Sequence, residues 1–559
     1  MTVQDLSSPL GISTIAGSYS EAYDAFDLTR LLQTIFPDGV ERVNAAEVCC
    51  DRHALDPERV ALRHRSQSGD VRSWTFAELR SCSSRFAEVL AAHGVGKGDR
   101  VAGLLPRTPE LLIAILATWR LGAVYQPLFT AFGPKAIDHR VTEAATKFIV
   151  TDAANRGKLD GLPVTVPLAV VGAGADDAAV DFWRLLEARP GTIAPTPCTI
   201  DDPFLIMFTS GTTGPAKGLL VPLRAIAAFV GYMRHAVGLR AEDRFWNVAD
   251  PGWAYGLYYA VTGPLAMGLT TTFYDGPFTV ESTYDTIAQL GITNLAGSPT
   301  AYRLLIAAGP QAAARVKGQL RAVSSAGEPL NPEVIRWFAE HLGAPIHDHY
   351  GQTELGMVLC NHHDLSHPVR VGSAGYAVPG HRVVVCSPEG NELGVGEPGI
   401  LALDRTRSPL LWFSGYLGRE TSSFVGRYYL SGDTVERNDD GSISFVGRAD
   451  DVITTSGYRV GPFDVESALI EHPAVVESAV VGKPDPERTE IVKAFVVLQP
   501  EVEPSAALIE DIQRYVKKRL SAHSYPREIA FVDALPKTPS GKLQRFLLRN
   551  EEIAKATSA

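Results

Sequence analysis

The sequence predicts an α/β protein in two parts. These are a large, multi-layer N-terminal domain with parallel sheets over residues 1–449 and a small α+β C-terminal domain over residues 450–559. Three observations lead there. The chain has 559 residues, several times the ~150 residues of an average domain. From about residue 60 to beyond residue 300, strand and helix signals alternate, the rhythm of layered α/β architecture with parallel strands. After Gly441 the texture changes to a compact mixed set of short elements, enough chain for a second packing unit.

In chain order, residues 60–63 form a strand. Thr75 and Glu78 then make a T-x-x-E capping box that starts a helix over Phe76–Ala92, and the glycine-containing segment 94–98 stops it. Residues 101–105 are a buried strand and 110–121 a second, largely apolar helix. In the C-terminal part, S-I-S-F-V-G-R-A-D-D-V-I is a strand followed by a charged turn. Beyond it, helix 462–471, strands 476–481 and 492–498, helix 506–520 and strand 529–532 complete the set. The first 40 residues carry weak signals and are expected to drape over the large domain.

Composition excludes several classes. Lys+Arg 52 against Asp+Glu 63 gives a net charge of −11, which argues against a surface that coats nucleic acid. The most apolar stretch, 111–124, is broken by Arg120 and too short to span a bilayer. The N-terminus lacks a basic region followed by an apolar core, so no secretory signal is expected. Six cysteines without a C-x-x-C pair fit reduced thiols in a cytoplasmic protein. Two patterns are set aside. Gly172-Ala173-Gly174 lacks the third glycine of a dinucleotide fingerprint, since Asp177 stands there, and reads as a surface turn. His347, His349, His362, His363 and His367 have no Cys or carboxylate partner at a zinc spacing.

The sharpest signal is Phe208-Thr209-Ser210-Gly211-Thr212-Thr213-Gly214-Pro215-Ala216-Lys217-Gly218. Residues 209–218 hold four hydroxyls, three glycines and one lysine directly after an apolar strand. Glycines let backbone N–H groups converge on an anion, hydroxyls donate to phosphate oxygens, and the lysine adds charge. It is not a Walker A loop, which needs glycine before the lysine and Ser/Thr after it. Ala216 and Gly218 occupy those places.

This loop resembles the signature of the acyl-adenylate-forming superfamily, which includes acyl-CoA synthetases, luciferases and peptide-synthetase adenylation domains. The further motifs stand in the superfamily's order: Gly327-Glu328-Pro329, Tyr350-Gly351-Gln352-Thr353-Glu354, Ser431-Gly432-Asp433, Gly447-Arg448-Ala449-Asp450-Asp451 through Ser456-Gly457-Tyr458-Arg459, and Pro536 to Lys542. The C-terminal half most resembles medium-chain acyl-CoA synthetases.

The resemblance implies ATP and CoA as co-substrates, Mg²⁺ as cofactor and a small-molecule carboxylic acid as the group activated. It implies that Thr209, Ser210, Gly211, Thr212, Thr213, Gly214 and Lys217 cradle the β- and γ-phosphates, that Thr353 bonds the α-phosphate and that Glu354 ligates Mg²⁺. Gly327, Glu328 and Pro329 would line the adenine slot near Asp348, with Tyr350 stacking on the base and Gln352 beside it. Asp433 would hold the ribose hydroxyls, Arg448 the ribose and Arg459 a phosphate. Lys542 would bridge the carboxylate and the α-phosphate during adenylation. Asp450 stands at the superfamily's hinge, which makes the small domain mobile, and Ser456, Gly457 and Tyr458 would meet CoA after rotation.

For the acid, Gly351 replaces a tryptophan that narrows the pocket in acetate-specific relatives, and Trp253 is a candidate wall, with a core tryptophan as the other reading. The expected substrate is an apolar acid longer than acetate: short branched, medium-chain or aryl. The alternative is a stand-alone adenylation enzyme that loads a carrier protein.

Overall fold

The computed structural model describes residues 17–162, 166–174, 180–209, 216–448, 451–455, 458–485, 488–520, 524–537 and 543–558, without the side chains of 458, 459 and 556–558. The architecture is α/β, with a large N-terminal part built on extended sheets and a small C-terminal part.

One sheet has six strands in the order Leu168–Val171, Thr146–Asp152, Arg100–Leu104, Val124–Pro127, Pro203–Thr209 and Lys217–Pro222. The first five are parallel, and the last returns antiparallel from its neighbour. Helix Phe76–Ala92 packs on helix Pro109–Arg120. The first begins where the capping box places it: Thr75 Oγ1 accepts from Glu78 N (3.1 Å), and the Glu78 carboxylate accepts from Thr75 N (2.7 Å). The second is buried almost all round, and the Arg120 that breaks its apolar run is held inside by Asp51 at 2.5 Å.

The larger sheet has eleven strands. Phe245–Asn247, Asn294–Gly297, Ala322–Ala326 and Ile346–Gln352 run parallel, as expected. Gly356–Cys360, Ser373–Ala377, Ile443–Arg448, Tyr428–Arg437, Gly399–Asp404 and Val383–Cys386 then pair antiparallel. The change of direction has a simple cause. Only residues 353–355 separate Ile346–Gln352 from Gly356–Cys360, far too few for a parallel crossover.

The first described residues lie on the large part. Tyr19 and Tyr23, both in the short helix Tyr19–Asp24, donate to the carbonyls of Ala377 and His381, each at 2.9 Å, and helix Leu28–Ile35 follows.

Beyond residue 451 a five-stranded sheet carries its own apolar cluster, with Val465, Leu469, Val480, Val496, Ile512 and Val516 at its centre. Helix Pro462–Ile470, strands Val475–Asp485 and Thr489–Leu498, helix Ala506–Arg519 and strand Glu528–Phe531 match the expected order, with the first two strands longer than foreseen. Two features were not foreseen. A pair of short strands, Ile453–Thr455 with Tyr458–Val460, follows the charged turn where no element was expected, and a further helix spans Arg545–Ser558. Among the described residues no helix is long and apolar enough to cross a membrane.

Candidate active site

Strand Pro203–Thr209 and strand Lys217–Pro222 form an antiparallel pair in which Thr209 lies opposite Lys217. The glycine- and hydroxyl-rich loop is therefore the connection of a hairpin whose base is this pair. Ser210, Gly211, Thr212, Thr213 and Gly214 themselves lie outside the described residues. Lys217 Nζ stands 5.0 Å from the centroid of the Tyr416 ring, a cation–π distance. Tyr416 is held beside the hairpin because Leu417 N donates to Gly218 O (2.8 Å). Its hydroxyl donates to Glu354 Oε1 at 2.6 Å. Burial, and then the Glu354 charge, push the Tyr416 phenol above its usual range, so it remains a donor. One step thus joins the lysine end of the loop to Glu354, which is only 8% exposed.

Thr353 and Glu354 follow the end of strand Ile346–Gln352, where the ladder bulges between Tyr350 and Gly351. A Cβ on Gly351 would lie 2.2 Å from Gly356 O and 2.8 Å from Met357 Cα, so the bulge itself demands glycine here. Thr353 is fixed through its carbonyl, which accepts from Tyr258 OH at 3.0 Å. Tyr258 belongs to the π-helical turn Leu257–Thr262 and stacks on Phe229 at 4.4 Å.

Asp433 is the focus of the site. It is 6% exposed and sits in strand Tyr428–Arg437. Its Oδ2 accepts from Tyr350 OH and from Gln352 Nε2 (2.9 Å), and its Oδ1 lies 3.7 Å from Arg448 Nη1, directly across the ladder. Gln352 also donates to Ser431 O (3.0 Å) and accepts from Tyr429 OH (3.0 Å). Five sequence-predicted residues, Tyr350, Gln352, Asp433, Arg448 and, through the chain, Thr353, are brought to one place. A nearly buried carboxylate facing this many donors remains an acceptor, the chemistry needed to hold hydroxyls.

Gly327, at φ 104°, turns the chain out of strand Ala322–Ala326. Glu328 accepts from Thr300 Oγ1 (3.0 and 3.1 Å) and pairs with Arg303 (3.2 Å). Asp348 is adjacent, opposite Ser325 in the parallel ladder, and its Oδ2 accepts from Leu330 N at 3.2 Å. Its Oδ1 is buried without a protein partner, and burial pushes this carboxyl up to about 8. Gly327, Glu328, Pro329 and Asp348 therefore form one wall.

Trp253 packs between Phe129 (5.5 Å) and Phe132 (5.2 Å), with its indole Nε1 buried and without a protein partner. Of the histidines, His347, His349, His363 and His367 meet main-chain carbonyls. His347 Nδ1 and His349 Nε2 meet Asn361 O at 3.0 and 3.1 Å, and His347 stacks on His363 at 4.0 Å. Burial lowers the first two to about 4 and about 3. Among the described residues no group of three or more His, Cys, Asp or Glu could hold a metal ion. Asp450, Ser456, Gly457 and Lys542 lie outside the described residues, as do the side chains of Tyr458 and Arg459.

Sequence reasoning missed Tyr416, Tyr258 and Tyr429, and gave Ser431 no role of its own. Ser431 carried a signal in its place in the S-G-D motif, where its Oγ accepts from Asp433 N at 3.1 Å across Gly432 at φ 79°. Tyr416 carried none.

The family model described as AMP-binding enzyme matches residues 49–417, and that of the AMP-binding enzyme C-terminal domain matches residues 464–542. The chain belongs to this family, as an AMP-forming acyl-CoA synthetase. Acetyl-coenzyme A synthetase of Bacillus subtilis (strain 168) is 38% identical over 547 residues, covering 96% of this chain and 95% of that protein. The crystal structure of a Brucella canis acyl-CoA synthetase superposes with a TM-score of 0.79 at 58% identity, covering 97% of this chain and all of that one. A benzoate CoA ligase from Burkholderia xenovorans LB400 gives a TM-score of 0.80 at 29% identity over 91% of this chain and all of that one. This acyl-CoA synthetase is thus an ATP-dependent acid–CoA ligase acting on a small-molecule acid, ATP and CoA. The names of the relatives span acetate and benzoate, so the expectation of an acid longer than acetate draws no support from the first of them.

Proposed function

We propose that this acyl-CoA synthetase activates an apolar acid longer than acetate, of the short branched, medium-chain or aryl kind. A carboxylate oxygen attacks the α-phosphorus of ATP and diphosphate leaves. The thiolate of CoA then attacks the acyl carbon, and AMP leaves with the attacking oxygen. Both steps bring anions together, so donors and cations must be set in advance where charge develops.

The constellation around Asp433 carries the reading. Its carboxylate, oriented by Gln352 and Tyr350 and opposed by Arg448, suits the two hydroxyls of a ribose. On that footing Ser210 to Gly214, with Thr209 and Lys217, hold the outer phosphates, Thr353 and Arg459 meet phosphate oxygens, and the Gly327-Glu328-Pro329 wall with Asp348 and Tyr350 takes the adenine. Glu354 fits Mg²⁺, a hard cation commonly held by one carboxylate together with substrate phosphates. When bound, it would neutralise phosphate charge. Lys542 serves adenylation. Asp450 is the hinge between units 1–449 and 450–559, with Ser456, Gly457 and Tyr458 brought to CoA, and the enzyme acts in the cytoplasm.

The preference for a longer acid is supported by the aromatic group of Trp253, Phe129 and Phe132. Each buried methylene is worth ~0.8 kcal/mol, roughly fourfold in kcat/KM. A panel from acetate to decanoate with benzoate, read as CoA-dependent AMP release, tests it. An acid of four or more carbons should exceed acetate in kcat/KM, and acetate as the best substrate would overturn the preference. Lys542→Ala should abolish acid-dependent ATP–diphosphate exchange while sparing thioester formation from supplied acyl-adenylate.

A further inference from the structure

Helix Pro462–Ile470 stands between the nucleotide wall and the start of the last helix, at Arg545. On one side, Glu466 is buried and grips Arg545, the first residue of the last helix and three residues after Lys542. Its oxygens accept from Arg545 Nε (2.8 Å) and Nη2 (2.6 Å), and Oε1 also accepts from Val480 N (2.9 Å). On the other side, the next residue, Ser467, receives a hydrogen bond from Asn331 Nδ2 at 2.9 Å. Asn331 is 3% exposed, and its Oδ1 accepts from Arg303, which pairs with Glu328 of the nucleotide wall. Just past the same helix, Glu471 takes Arg519 of its own unit (2.7 Å) and Arg336 of the large unit (3.2 Å). Arg336 is held for this by Glu333 (2.7 Å). Arg545 lies close enough to Glu328 for that carboxylate to support its charge. The arrangement therefore brings the start of the last helix, at Arg545, toward the nucleotide wall.

We propose that Asn331 and Arg336 are positioning residues for adenylation: through Ser467 and Glu471 they seat helix Pro462–Ile470, and the chain end it carries, against the nucleotide wall. The contacts belong to one orientation of the small unit. Breaking them disfavours that orientation and releases the unit for the second half-reaction. The proposal rests on the assignment of Lys542 to adenylation.

The test uses the full-length enzyme and whichever of acetate, hexanoate or benzoate supports the fastest exchange. Arg336→Glu sets like charges against each other, Ser467→Ala removes only a hydroxyl, and Arg336→Lys keeps the ion pair. ATP–diphosphate exchange should fall ~3- to 10-fold in the first two and hold in the third. CoA-dependent AMP release from synthetic acyl-adenylate should stay level or rise. A merely structural loss would lower both half-reactions together. Equal losses in both, or exchange unchanged in Arg336→Glu and Ser467→Ala, would overturn the proposal. Lys542→Ala, run alongside, separates the two ideas. If it retains exchange, the role of Lys542 fails and the latch falls with it. If it abolishes exchange while Arg336→Glu shows no split, the latch alone fails.

Discussion

Replacing Tyr416 by phenylalanine deletes one oxygen and nothing else. The ring stays 5.0 Å from Lys217 Nζ, and the Leu417 N to Gly218 O bond that places the segment is untouched. What goes is the 2.6 Å donation to Glu354 Oε1. A hydrogen bond to a charged group is worth about 1.5–3 kcal/mol, roughly 10- to 150-fold at 1.36 kcal/mol per decade. Groups that orient a metal-ligating carboxylate typically cost 10–100-fold in metal affinity or activity when removed. If Glu354 meets Mg²⁺, the half-saturating magnesium concentration of Tyr416→Phe should rise about 10-fold or more, with little change in Tm. The assay is acid- and CoA-dependent AMP formation at fixed ATP across a magnesium titration. A folded Tyr416→Phe enzyme with the wild-type magnesium profile would refute the chain of reasoning from Lys217 through Tyr416 to Glu354.

Two further outcomes follow from single positions. Gly351→Ala places a Cβ 2.2 Å from Gly356 O. The bulge must open at an overpacking cost of about 1–3 kcal/mol, so Tm should fall by several degrees, and an unchanged Tm would contradict the close approach. By the same geometry Gly351→Trp cannot act as a clean switch toward acetate, because its Cβ meets backbone before its ring meets substrate. Asp348 offers a pH test. Its carboxyl is pushed up to about 8 in the fold against ~3.9 unfolded. The folded state therefore holds the proton more tightly. That contribution is complete below about 3.9 and is lost as pH rises toward about 8. Asp348→Asn should flatten the decline of Tm over this window, and an equally steep decline would show that Asp348 is not its source.

Much of the fold was legible because local chemistry and tertiary packing agreed. Helix Phe76–Ala92 has the expected limits because Thr75 and Glu78 satisfy each other's backbone groups without help from elsewhere. Strand Pro203–Thr209 was marked by its apolar run into a glycine-rich turn. The site motifs were legible by residue type and order, and the convergence of Tyr350, Gln352 and Arg448 on Asp433 gives three of them a common place. The last helix was hidden for a physical reason. Glu552, 0% exposed, points into the fold and pairs with Lys493 at 2.7 Å, so a charge occupies a core position and breaks the apolar stripe. The Ser18/Glu21 capping box was present in the sequence, but its helix spans only Tyr19–Asp24 and depends on packing against the large part. Tyr416 lies in an irregular segment without period, so its approach to Glu354 is visible only in three dimensions. Gly351 was read as room for a substrate, whereas its nearest demand comes from the neighbouring strand.

On the proposed route the acid is activated by direct attack of its carboxylate on the α-phosphorus, in the same pocket where its acyl group later passes to CoA and AMP leaves. The most direct measurement follows the oxygen. With the substrate carboxylate labelled by oxygen-18, ATP and CoA, AMP should acquire a single labelled oxygen and diphosphate none. Label appearing in diphosphate or phosphate, with unlabelled AMP, would contradict it.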